Sequence, residues 1–176
     1  QLRQIRVDDI ATYQREAAQG DRDAQFQLGA YYAIGAHVPK DEAQAVAWYQ
    51  KAAELGHPEA QYRLGQCSQF GKGVQHSYEN AVAWYRKAAM QGHVEAQFWL
   101  GRCYEFQQGV TRDPRKAALW YRKAAEQGHA FAQGRLGYCY QYGHGIDQDL
   151  AEAVYWYELA AQQGDSDAQY ALGCCY

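Results

Sequence analysis

The sequence lacks the features of a membrane-spanning or nucleic-acid-binding protein. No stretch approaches the roughly 18 consecutive apolar residues of a spanning helix, so we expect no membrane insertion. A cationic run is also missing, and a net charge of −3 offers nucleic acid no basic stripe. No secretory signal is visible, which leaves a cytoplasmic and a periplasmic or exported location open. The 176 residues are 48% apolar, enough for a buried core.

Three dipeptides recur at a constant interval. Ala–Gln begins at 24, 60, 96, 132 and 168, Leu–Gly at 28, 64, 100, 136 and 172, and Trp–Tyr at 48, 84, 120 and 156. Each step is 36 residues without an insertion, which establishes an internal repeat. We expect four full repeats, at 20–55, 56–91, 92–127 and 128–163. A second helix of a partial repeat at 1–19 and a first helix at 164–176 flank them.

Each repeat is predicted to form two helices. Boundary glycines such as Gly56 suit the left-handed position that ends a helix, and the next residue, Asp or His, acts as N-cap. The second helix begins after a residue such as Asp41, and Ala45, Trp48, Ala52 and their equivalents mark its buried face. Because one repeat cannot bury its apolar face alone, we expect an all-α fold, an α/α superhelical solenoid.

The repeated residues form one continuous motif. It runs Gly-[Asp/His]-x-x-Ala-Gln-x-x-Leu-Gly-x-x-Tyr-x-x-Gly-x-Gly-Val, then Asp, then Ala-x-x-Trp-Tyr-x-Lys-Ala-Ala. This order resembles the Sel-one-like repeat (SLR) family, a relative of the tetratricopeptide repeats, over nearly the whole chain. The resemblance implies a right-handed superhelix that serves as an adaptor or scaffold for protein partners. Many bacterial SLR proteins are exported or periplasmic, and some look like immunity or host-interaction proteins.

The cysteines occupy one column of the repeat: Cys67, Cys103, Cys139 and Cys175, with Cys174 beside the last. Some SLR proteins staple their paired helices with two cysteines in each repeat, whereas this chain has one. Equivalent positions in stacked repeats lie about 8–10 Å apart, and a disulfide tolerates Cα separations of only about 7 Å. We therefore expect small, buried, free thiols.

The polar residues predict no active site. His57, His93 and His129 occur once in each repeat at a helix start, so they cannot converge on a metal within bonds of about 2.0–2.3 Å. Asp21 and Asp165 in the same column indicate capping instead. No carboxylate pair is specified by spacing, and no serine lies in Gly-x-Ser-x-Gly. We expect no catalytic, cofactor-binding or metal-binding residue, and a protein that is not an enzyme.

A glutamine column lies on the flank of the buried face: Gln25, Gln61, Gln97, Gln133 and Gln169. Its amides are predicted to satisfy backbone groups between repeats, because most buried polar groups are hydrogen-bonded. The alternative is a ladder of amides that contacts an extended peptide.

Partner binding is expected where the pattern varies on the first helices, which line the concave surface in related solenoids. The candidate partner-binding residues are Arg63, Gln66, Gln69, Trp99, Arg102, Glu105, Arg135, Tyr138 and Gln141. Trp99 is the strongest candidate, because it is the only Trp outside the repeated column and Arg63 and Arg135 stand one repeat away on each side. Aromatic and Arg side chains are typical of interface hot spots. The alternative is an Arg stacked on a half-exposed indole, with no partner involved.

Three functions are consistent with these residues. The leading hypothesis is a non-catalytic scaffold that holds a protein or peptide segment in the concave groove. The second is a bacterial immunity or inhibitor protein that neutralises a secreted toxin or effector. The third is a cell-wall or glycan-binding accessory, motivated by the 15% aromatic content, although framework columns account for most of those aromatics. The sequence does not specify the oligomeric state.

Overall fold

The computed structural model describes residues 7–175, and within them the side chains of residues 10–173. The described residues form no strand, and their helices are α1 (Val7–Ala18), α2 (Arg22–Ile34), α3 (Glu42–Glu54), α4 (Pro58–Phe70), α5 (Tyr78–Met90), α6 (Val94–Glu105), α7 (Pro114–Glu126), α8 (Ala130–Tyr142), α9 (Leu150–Gln162) and α10 (Ser166–Cys175). Even numbers are first helices of repeats and odd numbers are second helices. None of these helices is long and apolar enough to cross a bilayer. Residues 1–6 of the expected N-terminal helix lie outside the described residues.

Side-chain caps and left-handed glycines set the helix boundaries. Asp21 accepts a hydrogen bond from the N–H of Ala24 at 2.7 Å, and Nδ1 of His57 accepts from the N–H of Ala60 at 3.2 Å. His93 and His129 cap their helices in the same way. The preceding boundary glycines have φ between 83° and 93°: Gly20, Gly56, Gly92, Gly128 and Gly164. The predicted capping and helix-ending roles are therefore confirmed.

Tyrosine, not tryptophan, marks the most buried face of the second helices. Tyr121 is 0% exposed, whereas Trp120 is half-buried. The expectation was right for the alanines of this face and wrong for the tryptophan column. A Cβ on Gly101 would lie 2.7 Å from the Tyr121 ring, so the glycine lets α6 approach the tyrosine closely. The indole lies at the edge of the packed surface, with Nζ of Lys123 4.7 Å from its centroid.

The chain divides into two compact units, of which unit 1 ends at Gln91 and unit 2 begins at Gly92. In unit 1, α1 packs against α2, α2 against α3, α3 against α4 and α4 against α5. In unit 2, the helices α6 to α10 pack in the same sequential way. The described part of each unit is thus a row of antiparallel helix pairs, which confirms the predicted all-α class.

In four of the first helices a glutamine of the column connects the helix to the one before it. Nε2 of Gln61 donates to the backbone carbonyl of Ala53 at 3.1 Å, and its Oε1 accepts from Nε2 of Gln91 at 2.8 Å. The same donor bond to a carbonyl is made by Gln25, Gln133 and Gln169. These four amides satisfy backbone carbonyls at helix ends, so the structural role predicted for them is confirmed.

Candidate functional site

Three of the candidate binding residues accept a hydrogen bond from the buried tyrosine of the second helix in their own repeat. The hydroxyls donate as follows: Tyr85 to Gln69 at 2.6 Å, Tyr121 to Glu105 at 2.5 Å and Tyr157 to Gln141 at 2.8 Å. Gln69 is buried as well. The sequence did not predict this contact, which ties the two helices of a repeat together. In the first repeat the same column holds Ala33.

Glu105 has a second partner, because Arg135 of the next repeat forms an ion pair with it. The side chains of Glu105 and Arg135 are only 18% and 34% exposed, so water screens the pair less than it would at the surface. Burial and the adjacent Glu105 carboxylate raise the pKa of Tyr121, and its hydroxyl therefore remains a donor. Tyrosine, carboxylate and arginine form one connected polar cluster inside unit 2.

A continuous set of aromatic rings and guanidinium groups lies on the first helices of unit 2. We call it the aromatic surface and define it by Trp99, Arg102, Phe106, Arg135, Tyr138 and Tyr142. The guanidinium carbon of Arg102 is 4.9 Å from the Trp99 ring centroid and 5.6 Å from that of Phe106. Arg135 is 6.0 Å from Phe106 and 4.7 Å from Tyr138. Phe106 therefore lies between two arginines, and it is 52% exposed.

The environment of Trp99 differs from the expectation. Trp99 is half-buried, and the arginine above its ring is Arg102 of the same helix. The expected neighbour Arg135 is engaged instead by Glu105 and Tyr138. The stack of an arginine on a partly exposed indole is thus present, within a larger cluster than the sequence suggested.

Sequence reasoning missed Phe106 and Tyr142, although a signal for both exists. They belong to a column at the end of the first helices that is apolar in every full repeat and exposed in the structure: Ile34 at 72%, Phe70 at 53%, Phe106 at 52% and Tyr142 at 55%. Framework positions bury their large apolar side chains, whereas this column leaves them in water. An apolar column that repeats without being buried makes these side chains candidates for a contact surface.

The candidates of unit 1 are more polar. Arg63 is exposed and pairs with Oε1 of Glu59 at 2.8 Å. Half-buried Gln66 donates from Nε2 to the hydroxyl oxygen of Tyr62 at 2.8 Å. Arg63 and Gln66, but not Gln69, line a cavity of about 350 Å³. Unit 1 therefore presents a polar hollow, and unit 2 an aromatic surface.

The thiols are suited to packing. Cys67, Cys103 and Cys139 are free; Cys67 is half-buried, and the other two are buried. Burial raises the pKa of Cys103 to about 11 and that of Cys139 to about 12, so little nucleophilic thiolate exists at neutral pH. The expected buried free thiols are confirmed at these two positions. The side chains of Cys174 and Cys175 lie outside the described part. No group of three or more His, Cys, Asp or Glu arranged to hold a metal occurs among the described residues.

Comparison with known proteins identifies the repeat. The family model of the Sel1 repeat matches five consecutive segments, 22–57, 58–93, 94–129, 130–165 and 166–176. The chain is similar to the crystal structure of a protective antigen with an SLR fold from uropathogenic Escherichia coli strains, at 36% identity and a TM-score of 0.92. That match covers 95% of this chain and 36% of the antigen chain. The chain therefore spans about a third of this relative.

Two further solved structures are informative. A Sel1 repeat protein from Oxalobacter formigenes is 37% identical with a TM-score of 0.83, over 94% of this chain and 66% of that one. An immunity protein from Pseudomonas aeruginosa is 26% identical with a TM-score of 0.56, over 97% of this chain and 63% of that one. The comparison with curated proteins found no match.

These matches confirm the repeat-solenoid class and the resemblance that the sequence motif predicted. Sel1 repeat proteins generally mediate protein–protein interaction, and their fold is typically a non-enzymatic scaffold. Because the family model matches the chain from residue 22 to residue 176, the chain belongs to the Sel1 repeat family.

Proposed function

We propose that this chain is a non-catalytic interaction scaffold that binds a protein or peptide segment through the aromatic surface of unit 2. The observation that carries the proposal is Phe106, an exposed ring between the guanidinium groups of Arg102 and Arg135. Aromatic and arginine side chains supply most hot spots of protein interfaces. Stacking also holds both guanidinium groups in place, which lowers the side-chain entropy lost when a partner binds.

The two arginines have different roles in this proposal. Arg135 is already paired with Glu105. Among the described residues the Arg102 side chain stacks on the Trp99 and Phe106 rings and forms no ion pair with a carboxylate. Its N–H donors are available to carbonyl or carboxylate oxygens of a bound segment. Arg102 is therefore the polar anchor and Phe106 the apolar one.

A hollow beside the aromatic surface offers room for one side chain of the partner. It has a volume of about 150 Å³, and its lining includes the rings of Phe131 and Tyr138, the cation Arg135 and two acids, Asp165 and Asp167. Phe131 is 63% exposed. An apolar or aromatic residue of the bound segment fits this chemistry, since burying such a ring against another is favourable.

The test is an affinity pull-down with the triple variant Trp99→Ala, Arg102→Ala, Tyr138→Ala. The control is the double variant Leu119→Ala, Tyr155→Ala, which removes two side chains on second helices that are each 51% exposed. We expect a partner that the wild type and the control both recover and the triple variant loses. If a triple variant with a native circular dichroism spectrum recovers as much of the partner as the wild type, the proposal is wrong.

A second candidate, an immunity or inhibitor protein for a secreted toxin, is favoured by the similarity to the Pseudomonas aeruginosa immunity protein. In that case the aromatic surface would occlude the active site of the toxin. Co-expression of the chain with a toxin encoded beside it should restore growth, and the triple variant should not. Growth arrest that the chain leaves unchanged would remove this candidate and keep the scaffold.

A further inference from the structure

Two cavities at equivalent places in the repeat differ greatly in size. The cavity of unit 1 has a volume of about 350 Å³, and its counterpart two repeats later in unit 2 has about 20 Å³. Matching repeat positions line both: Ala33 corresponds to Glu105, Tyr49 to Tyr121, Cys67 to Cys139 and Lys72 to His144. The difference therefore comes from the side chains at shared positions.

In unit 2 a side chain of the protein itself, Glu105, fills the position of the cavity. The carboxylate of Glu105 accepts from the hydroxyl of Tyr121 and pairs with Arg135. The corresponding residues of unit 1 are Ala33, Tyr49 and Arg63. The tyrosine and the arginine are thus kept, and the carboxylate between them is missing.

Without this carboxylate, the hydroxyl of Tyr49 has no acceptor in the described part of the chain. Tyr49 is 5% exposed and lines the cavity, and within the described residues its hydroxyl has no hydrogen-bond partner. Because the hydroxyl lines the cavity, an acceptor that enters the cavity can take its hydrogen bond. Burial raises the pKa of Tyr49 to about 12, against the opposing effect of nearby Arg63, so the hydroxyl remains protonated at neutral pH.

The remaining lining is positively charged. Three cations, Lys40, Arg63 and Lys72, face one acid, Glu42. Nζ of Lys40 lies 3.1 Å from the Glu42 carboxylate, and Arg63 pairs with the partly exposed Glu59 and donates to Oε1 of Gln66 at 3.3 Å. Exposed ion pairs of this kind are weak and exchange readily. The cavity therefore favours an anion over a neutral group.

The other repeats indicate which acceptor belongs here. Where the acceptor is an amide, at Gln69 and Gln141, the arginine position of the next repeat holds Trp99 and Ala171. Where the acceptor is the Glu105 carboxylate, that position holds Arg135. The arginine thus occurs together with the carboxylate. The first repeat is followed by such an arginine, Arg63, but has no carboxylate of its own at Ala33.

We propose that the unit 1 cavity binds a carboxylate supplied by a partner protein, held by the Tyr49 hydroxyl and Arg63 in the place that Glu105 fills in unit 2. The carboxylate comes from an acidic side chain or from a chain terminus. A volume of about 350 Å³ holds a whole residue, and the exposed side chains of Ile34 and Phe70 at the rim suit apolar neighbours in the bound segment. The site lies in unit 1 and goes beyond the proposed role of the aromatic surface.

The test is a titration of the full chain with three short N-terminally acetylated peptides, in which binding is measured by the NMR shifts of the α2–α4 amides. One peptide has a free C-terminal carboxylate, one an internal glutamate with an amidated end, and the third a glutamine in place of that glutamate. We expect at least one acidic peptide to bind about tenfold or more tighter than the glutamine peptide, since charge-assisted hydrogen bonds are the stronger ones. Which acidic peptide binds identifies the source of the carboxylate.

Variants assign the binding to the cavity. Tyr49→Phe and Arg63→Gln should each weaken it about tenfold or more, and Ala33→Glu should abolish it by supplying the carboxylate in cis. The triple variant of the aromatic surface should bind the acidic peptide as the wild type does, so failure here is distinguishable from failure of the scaffold function. No binding by the wild type, equal binding of acid and glutamine peptides, or full binding by folded Tyr49→Phe and Arg63→Gln variants would overturn the proposal.

Discussion

Replacing each of two equivalent tyrosines by phenylalanine should have unequal effects on stability. Tyr121→Phe removes a hydroxyl that donates to the Glu105 carboxylate at 2.5 Å. Tyr49→Phe removes a hydroxyl at the same repeat position that has no partner among the described residues. Both changes keep the ring that packs on the facing glycine. The two variants therefore differ mainly in one hydrogen bond.

The expected magnitudes follow from the acceptors. A hydrogen bond to a charged group contributes about 1.5–3 kcal/mol, and Glu105, at 18% exposure, gains little compensating water when the hydroxyl is removed. We expect Tyr121→Phe to lower the free energy of unfolding by about that amount. Tyr49→Phe should change it by no more than about 0.5 kcal/mol, in either direction, because no bond is lost.

Urea unfolding followed by circular dichroism measures both variants against the wild type, with the slope m compared to check that the same surface unfolds. Hydrogen exchange of the α3 and α7 amides resolves the two units separately if they unfold apart. Equal losses in the two variants would refute the reasoning, since they would show that the missing acceptor in the first repeat has no energetic consequence. A larger loss for Tyr49→Phe would refute it more strongly.

Three other outcomes are expected. Burial lowers the pKa of His57 from its ordinary 6.5, so the unfolded chain takes up this proton at a higher pH than the folded chain, and the wild type should lose stability as the pH falls below about 6.5. His57→Asn keeps a capping side chain that does not titrate, so this variant should lose less stability. Urea midpoints at about pH 7 and pH 5 measure the difference. Iodoacetamide should label half-buried Cys67 faster than buried Cys103 in the folded chain, as followed by peptide mass mapping; equal rates would contradict the burial. Ala33→Glu should stabilise the wild type more than the Tyr49→Phe variant, with a coupling of about 1–2 kcal/mol in a double-mutant cycle, and a coupling near zero would show that the new carboxylate does not reach the hydroxyl.

The sequence predicted what local periodicity determines. A constant step of 36 residues specified the repeat and the alternation of helices. Caps such as Asp21 and ends such as Gly56 depend on backbone geometry within a few residues, so their roles could be assigned before any packing was known. The glutamine column was predicted correctly for the same reason, because a buried amide at a fixed place in each repeat must find a backbone partner.

The sequence could not predict which side chains meet between helices. Trp120 and Tyr121 are adjacent and both aromatic, and the choice of the buried ring depends on where the facing Gly101 stands. The sequence predicted Glu105 to be a partner-binding residue of a variable column, yet its long side chain reaches Tyr121 of the neighbouring helix. The importance of Ala33 becomes visible only once that contact is known, since an alanine in a variable column carries no signal of its own.

The most direct test of the scaffold proposal is site-specific photo-crosslinking in the purified complex. A photoreactive phenylalanine analogue replaces Phe106 in one sample and the similarly exposed Leu119 in the other. The predicted result is a covalent adduct with the partner from position 106 and none from position 119. An adduct from position 119 alone, or equal adducts from both, would contradict binding through the aromatic surface.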